Sequence, residues 1–401
     1  LPDGPRPAPE LPFPFARGIA TAPGRGALAA VLLPTALIFV RIVPDRDPEV
    51  WSLAVPRVEA AALAPDGREM ALFVPGRLLF VRVPAPGGGR SGLKEHLVWD
   101  RRLPRRSGAT AAFAPGGHWL AVAAGNRRVE LLEARTGKGW RTLYGPAGAA
   151  DVRALAFSPD GRLLAAGGTR PGGAVRLWEL RSGKEVHAFA GHRGGVERLA
   201  FSPDGRLLAS AGGEGTVLVW DVWFRPGDGA EPESADLGAA WETLASDDIA
   251  AAYRGMGALS AAGERAVAAI REGMKRTAAE QEQARRWVKD LDSPRFAVRE
   301  AATAALMKYG SRGVPVLREA LAAPSSDEAL RRIEMILDRF RDKGVPTREG
   351  ELLGGELRML RAVQVLERVG GDAAKALLEE IAAGAGEAAE EARAVLRGWG
   401  R

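Results

Sequence analysis

Short runs of alternating apolar and polar residues, separated by Pro-Gly turns, fill the first half of the chain. Residues 157–165 read Phe-Ser-Pro-Asp-Gly-Arg-Leu-Leu-Ala, and the same nine residues recur at 201–209. Weaker copies of this string begin at Thr21, Leu63 and Phe113. Each copy places an apolar strand on either side of a turn whose glycine supplies the positive φ of a tight hairpin. The pattern predicts five β-units between residues 15 and 225.

A third strand follows in every unit after a Gly-rich turn. In the last two units it ends in a tryptophan and an acid, at 175–179 and 217–221. The apolar run at 27–40 is then the second and third strands of the first unit, with Pro34 in the turn between them. It is shorter than the roughly 20 residues that a spanning helix needs. No membrane span is therefore predicted, and we expect a cytoplasmic protein.

These units resemble the WD-repeat β-propeller family, whose repeats have about 40–45 residues, several strands and a Trp-Asp ending. The resemblance covers residues 15–225. It implies a β-propeller with about five visible blades, which either close alone or form an incomplete ring.

In this family a Gly-His pair, a strand Ser or Thr, a turn Asp and the Trp form a hydrogen-bond network that ties a blade together. Here His192, Ser210 and Trp220 match, and Glu214 stands where the aspartate is expected. In the preceding unit Gly-Pro replaces Gly-His, so only Trp178 matches. The resemblance implies that these residues stabilise their blades and do not catalyse a reaction.

Residues after Asp236 have the apolar spacing of helices instead. A linker rich in turn residues is predicted at 226–236. The same spacing recurs around Gly263, Gly310 and Gly370. Each glycine lies four residues after a leucine and seven residues before another large apolar residue. Because glycine commonly ends helices, each marks a helical hairpin. The segment 292–302 is similar to the helix opening of HEAT-like repeats, so we expect a HEAT-like α-solenoid over 237–401. The alternative is a generic amphipathic helical bundle.

The first fourteen residues contain six prolines, which predicts an extended linker over 1–14. The chain begins with Leu1 inside this linker, and this start indicates a longer natural protein. WD repeats followed by a helical tail also look like large bacterial multi-domain proteins. The resemblance implies that this chain is the binding or regulatory part of such a protein.

The composition gives little indication of catalysis or of metal binding. The chain has no cysteine and only four widely separated histidines, which removes thiolate sites and the usual metal-binding spacings. Thr136-Gly137-Lys138 and Ser182-Gly183-Lys184 lack the other residues of a phosphate-binding loop and are interpreted as hairpin turns. We predict no catalytic, cofactor-binding or metal-binding residue, no cofactor, and no enzyme activity.

The charge is uneven, because residues 1–226 carry a net +10 and the remainder a net −4. In WD-repeat propellers, the loops joining the second and third strands lie at the same end as the segments preceding the first strand, and partners dock there. By register, this end holds eight candidate partner-binding arginines: Arg57, Arg77, Arg105, Arg106, Arg127, Arg128, Arg170 and Arg193.

Two functions from different classes fit this pattern. The leading hypothesis is a non-catalytic protein-protein interaction scaffold whose partner has an acidic surface, with the chain's own acidic stretch 228–248 as one candidate. The alternative is a nucleic-acid-binding module that uses the basic half. Against it, the arginines are not interleaved with exposed aromatic residues.

Overall fold

A computed structural model describes most of the chain, which divides into two compact units, Leu1–Val222 and Trp223–Arg401. The described residues are 18–22, 27–33, 36–42, 47–55, 57–86, 93–103, 110–123, 128–144, 152–168, 173–222, 236–246, 248–342 and 354–399. The predicted linker 1–14 and most of the linker 226–236 lie outside them.

The first unit contains five antiparallel sheets, numbered one to five in chain order. Sheet one consists of β1 (Gly18–Ala22), β2 (Ala27–Leu32), β3 (Ala36–Ile42) and β4 (Glu49–Ala54). Sheet two consists of β5 (Ala60–Leu63), β6 (Glu69–Val74), β7 (Arg77–Arg82) and β8 (Leu97–Arg102), with helix α1 (Leu93–His96) before β8. Sheet three consists of β9 (Thr110–Phe113), β10 (Trp119–Ala123), β11 (Arg128–Glu133) and β12 (Gly139–Tyr144). Sheet four consists of β13 (Val152–Phe157), β14 (Leu163–Gly168), β15 (Val175–Glu179) and β16 (Lys184–Phe189), and sheet five of β17 (Val196–Phe201), β18 (Leu207–Gly212) and β19 (Val217–Asp221).

Each sheet is a simple up-and-down meander, and the first strands of successive sheets pack in the order β1, β5, β9, β13, β17. The prediction of five blade-like β-units is confirmed. The fourth strands were not singled out from the sequence, because their residues alternate less clearly. Strand β8, for example, has no fully buried side chain.

The Pro-Gly turns form the hairpins between the first and second strands. Gly67, Gly117, Gly161 and Gly205 have φ values between 67° and 73°, which favour glycine. In sheet four the turn is locked by side chains: the Arg162 amide donates to Asp160 (3.0 Å), and the Leu163 amide donates to the Ser158 hydroxyl (2.9 Å). The same bonds recur one sheet later, which explains why the nine-residue string is repeated without change.

Apolar side chains fill the space between successive sheets. In sheet four, Leu164, Ala166 and Trp178 pack with residues of sheet three. The opposite face meets sheet five so closely that a Cβ at Gly167 would lie 2.4 Å from Cγ1 of Val196. Each inner sheet is thus apolar on both faces, as expected for a strand buried from both sides.

The second unit is helical. Its helices are α2 (Leu237–Thr243), α3 (Ile249–Ala261), α4 (Glu264–Asp290), α5 (Phe296–Tyr309), α6 (Val314–Ala322), α7 (Asp327–Asp342), α8 (Gly354–Val369), α9 (Gly371–Ala382) and α10 (Glu387–Trp399). A β-propeller-like region followed by an α-helical region is therefore the observed fold class.

The three predicted helix-ending glycines each lie between two helices. Gly263, Gly310 and Gly370 have φ of 58°, 73° and 67° with ψ near −131°, −148° and −169°, a region that is essentially restricted to glycine. The leucines and isoleucine at the repeated offsets are buried on both sides of each glycine.

The packing order of these hairpins differs from that of a linear solenoid, in which each repeat contacts only its neighbours. Helix α4, with 27 residues, packs against α2, α5, α6, α8 and α9. The third hairpin, α8 and α9, therefore packs against the first hairpin. The extra length of α4 provides the surface for this arrangement. No helix among the described residues is long and apolar enough to cross a membrane.

Candidate protein-interaction surface

Four of the predicted network residues meet between sheets four and five. Nδ1 of His192 lies 2.6 Å from a carboxylate oxygen of Glu214, and Nε2 lies 2.7 Å from the Ser210 hydroxyl. The indole N–H of Trp220 donates to the same hydroxyl at 2.8 Å. Because that hydroxyl accepts from Trp220, its own proton is available for Nε2, and Nδ1–H then donates to Glu214. The four side chains form one continuous hydrogen-bonded chain.

Glu214 reaches this network despite the extra methylene relative to aspartate. Its second carboxylate oxygen accepts from the Gly194 amide at 3.0 Å, so the side chain also holds the segment that precedes β17. Its carboxylate group lies directly against Gly212, so a side chain there would displace Glu214 from this network. The hydrogen bond from His192, followed by backbone hydrogen bonds, lowers the pKa of Glu214.

Trp178 lies apart from this network. It is buried in the apolar core shared by sheets three and four, together with Leu131 and Leu143. Its place in β15 matches that of Trp220 in β19, since each pairs with the second leucine of its repeated string.

Four of the eight candidate arginines fall within the described residues, namely Arg57, Arg77, Arg128 and Arg193; Arg105, Arg106, Arg127 and Arg170 lie outside them. The up-and-down strand order puts the four described arginines at one end of the sheets, because each lies before a first strand or at the turn between a second and a third strand. We call this end the arginine end.

Two of these arginines have carboxylate partners within the sheets. Arg77 forms an ion pair with Asp100, and Arg128 lies 2.7 Å from a carboxylate oxygen of Glu130. Glu130 also receives Arg101 from the neighbouring sheet at 2.7 Å. Arg77 and Asp100 lie on different strands 23 residues apart, and Arg101 comes from another sheet, so the sequence did not indicate these two pairs. Glu130 follows Arg128 by two residues on the same strand, and this pair could have been noticed in the sequence.

Arg57 and Arg193 are different. Both are exposed, and neither has a carboxylate partner among the described residues. Glu214 lies at this end, in the turn between β18 and β19. Its two carboxylate oxygens already bond to His192 and to the amide of Gly194. Among its described residues, the arginine end thus has two exposed cations, Arg57 and Arg193, that lack a carboxylate partner.

The helical unit contains a polar cavity of about 370 Å³ that the sequence analysis did not identify. Arg358 of α8 is buried in its wall, where it donates to Glu242 and Thr277 at 3.0 Å each and lies over the Trp241 ring. Burial lowers the pKa of Arg358, and Glu242 opposes this shift. Arg312 bridges Glu242 and Glu280 at 3.7 and 3.6 Å. These charges balance one another and join α2, α4 and α8.

A sequence signal for this cluster exists in α8. Arg358, Arg361 and Gln364 recur every three residues among leucines and valines, and all three are buried. Arg361 donates to the carbonyl oxygens of Leu244 and Ser246, which follow α2. In the described part of the chain, this cluster included, no group of three His, Cys, Asp or Glu residues is placed to hold a metal ion.

Comparison with known proteins agrees with this architecture. Residues 137–179 and 183–221 match the family described as WD domain, G-beta repeat. Over 139 residues, the chain is 30% identical to an uncharacterized WD repeat-containing protein of Synechocystis. That alignment covers 34% of this chain and 36% of the relative, so the chain spans about a third of the relative's length. Residues 137–221 therefore contain two WD repeats, and each matched segment holds the last strand of one sheet and the first three strands of the next.

Proposed function

We propose that this chain is a non-catalytic scaffold that binds a protein partner with an acidic surface at the arginine end of its sheets. WD repeats generally act as protein-interaction modules. The observation that carries the proposal is the pair of exposed, unneutralised arginines, Arg57 and Arg193, at this end. Residues presented on loops by a rigid scaffold are often recognition residues.

A separate protein with an acidic surface is a better candidate for binding at the arginine end than the chain's own acidic stretch 228–248. Within that stretch, Asp236 and Asp248 cap α2 and α3 by accepting backbone hydrogen bonds, and Glu242 is paired with Arg358 and Arg312. These three carboxylates already have local partners. Carboxylates on the surface of another protein could bind the arginines without first breaking these local bonds.

Fluorescence anisotropy with labelled poly-glutamate tests this proposal on the full chain. Exposed charges act mainly on encounter rate and are screened beyond about 8 Å at physiological salt, so binding should weaken as salt rises. The double variant Arg57→Glu/Arg193→Glu should weaken binding about tenfold or more at low salt. The matched control is Arg135→Glu/Arg206→Glu, which makes the same charge change at exposed positions on the opposite end.

Equal effects of the two double variants would show that only net charge matters, and the proposal would fail. A labelled DNA duplex serves as the second probe. Tight duplex binding with a steep salt dependence, and no binding of poly-glutamate, would support the nucleic-acid alternative instead.

A further inference from the structure

The last sheet has a face that the other sheets bury. We call the face of a sheet that packs against the next sheet its trailing face, and the opposite one its leading face. In sheet four, the trailing face carries Gly167, because Gly167 lies against Val196 of sheet five. Strand pairing puts Leu163, Val175 and Leu177 on the same face, and all three are buried. This face of sheet four is therefore covered by the sheet that follows it.

The equivalent positions of sheet five are exposed. Pairing of β18 with β19 places Leu207, Val217 and Val219 on its trailing face. Their exposed fractions are 41%, 63% and 61%. The third-strand residues at the positions of the two valines in sheets two, three and four are all buried, namely Leu78, Phe80, Val129, Leu131, Val175 and Leu177. Adjacent exposed apolar side chains of this kind mark interaction surfaces.

One charged residue distinguishes this face from the same face of the other sheets. Arg198 of β17 pairs with Ala211 of β18 and therefore lies on the trailing face. Its counterparts in sheets two, three and four are Ala60, Thr110 and Ala154. All three are small, so the next sheet can pack closely over them. An arginine is too large for such a contact, and this face is therefore suited to a different kind of partner.

The guanidinium of Arg198 is available for an ion pair. The side chain is exposed, and it donates to the backbone oxygen of Glu197 at 2.7 Å. Among the described residues it has no carboxylate partner. Arginine binds carboxylates through two parallel hydrogen bonds, and the attraction between the charges increases where apolar groups exclude water. A partner with a carboxylate among bulky apolar side chains would complement this face.

The shape of the face fits a single helix. Ala209 and Ala211 of the central strand form the floor of a shallow groove, with Arg198 on one side and Val217 and Val219 on the other. Three strands that lie about 4.8 Å apart are roughly 10–14 Å wide, and a helix has a diameter of about 10–12 Å. Strand β19 has five residues. Its length is thus about 17 Å, or about three helical turns.

We propose that the trailing face of sheet five binds an amphipathic helix of a partner protein, whose apolar face carries leucine or aromatic side chains and one acidic residue that pairs with Arg198. Large side chains fit, because the inner sheets pack such residues on this face: Leu164, Phe157 and Trp178 of sheet four lie against sheet three. Recognition of a helix in an apolar groove is a common mode of binding. The proposed site goes beyond the arginine end and does not depend on it.

Fluorescence anisotropy of the full chain with synthetic peptides tests this proposal. The first probe is a labelled, hydrocarbon-stapled helix of about 15 residues, with leucines at i, i+3, i+4 and i+7 and one glutamate on the same face. The second probe has lysine in place of that glutamate. Wild type should bind the glutamate peptide at least about tenfold more tightly than the lysine peptide, because like charges repel. Arg198→Glu should reverse this preference, and Arg135→Glu, at an exposed position on the opposite end, should preserve it.

Two further variants locate the binding. Val219→Asp should abolish binding of the glutamate peptide, while Met335→Asp, a matched change at a residue 50% exposed in α7, should not affect it. Arg57→Glu/Arg193→Glu should also bind this peptide like wild type, so failure of this proposal is distinguishable from failure of binding at the arginine end. Equal affinity of wild type for the two peptides, or equal binding by Val219→Asp and Met335→Asp, would overturn the proposal.

Circular dichroism checks that each variant is folded. If Val219→Asp is not, Val219→Cys and Met335→Cys can be labelled with maleimide, because the chain has no cysteine of its own. At a glutamate-peptide concentration about four times its Kd, labelling at position 219 should slow about fivefold, while labelling at 335 stays constant. Equal behaviour of the two cysteines would contradict the site. Labelling of position 219 that is already slow in the free chain would show that this chain or a second copy covers the face, and would also overturn the proposal.

Discussion

At the scale of single residues, the hydroxyl of Ser210 is the centre of the network between sheets four and five. It is buried and joins His192 to Trp220 at 2.7 and 2.8 Å. Removing it would leave a nitrogen of the buried His192 and the indole nitrogen of the half-buried Trp220 without this partner, which costs more than the loss of one hydrogen bond. Glu214 completes the same chain and adds a bond to the backbone.

We expect Ser210→Ala to lower the free energy of unfolding of the WD-repeat unit by about 1–3 kcal/mol. Ser52→Ala, at an exposed position of β4, is the control and should change it by less than about 0.5 kcal/mol. Urea unfolding of the full chain, followed through the β-sheet circular dichroism signal, measures both. Equal midpoints for the two variants would show that the buried hydroxyl does not hold the sheets together.

Glu214 should make this unit sensitive to acid. Its pKa is lowered in the folded state, chiefly by the hydrogen bond with His192. A carboxyl group with a lowered folded pKa stabilises the fold above its unfolded pKa, about 4.3, and loses that contribution as the pH falls through the folded value. The melting temperature of wild type should therefore exceed that of Glu214→Gln near neutral pH, and the gap should narrow in acid. A gap that stays constant down to the lowest pH at which the protein folds would contradict this assignment.

At the scale of elements, glycines define both repeat arrays, for two different reasons. In the sheets they supply positive φ in hairpins or allow close contact between neighbours. In the helical unit, Gly263, Gly310 and Gly370 adopt a conformation that other residues rarely reach. The repeated spacing of glycines was therefore a strong sequence signal for both kinds of element.

We expect Gly370→Ala to destabilise the helical unit by about 1–3 kcal/mol, because alanine cannot adopt its φ of 67° without strain. Gly398→Ala, inside α10, has open space and no positive φ, so it should be neutral or stabilising by up to about 1 kcal/mol. Thermal unfolding followed through the helical circular dichroism signal compares them. Similar melting temperatures for both variants would mean that the turn does not depend on glycine.

Close packing between sheets gives a further expectation. A methyl group at Gly167 would overlap Val196, so Gly167→Ala should push sheets four and five apart and cost about 1–3 kcal/mol. Gly139→Ala, where nothing lies within 4 Å, is the control. Urea midpoints measure the difference. If Gly167→Ala were as stable as Gly139→Ala, the two sheets would be less tightly packed than the structure indicates.

The five sheets and the helical hairpins were predictable because their signals are local. Asp160 and Gly161 specify their own hairpin, and Gly310 ends its own helix. Other features depend on residues or helices far apart in the chain, namely the ion pairs Arg77–Asp100 and Arg101–Glu130 and the packing of α8 and α9 on α4. The sequence alone could not show that Arg77 and Arg128 have carboxylate partners while Arg57 and Arg193 have none among the described residues.

At the scale of the whole molecule, we propose that a partner binds at the arginine end of the sheets. Hydrogen-deuterium exchange of the full chain, with and without poly-glutamate, tests this assignment most directly. Backbone amides at 57–59 and 190–195, which precede β5 and β17, should become protected at low salt. The hairpins that contain Gly161 and Gly205, at the opposite end, should not change. Protection confined to those hairpins, or to the helical unit, would contradict the account.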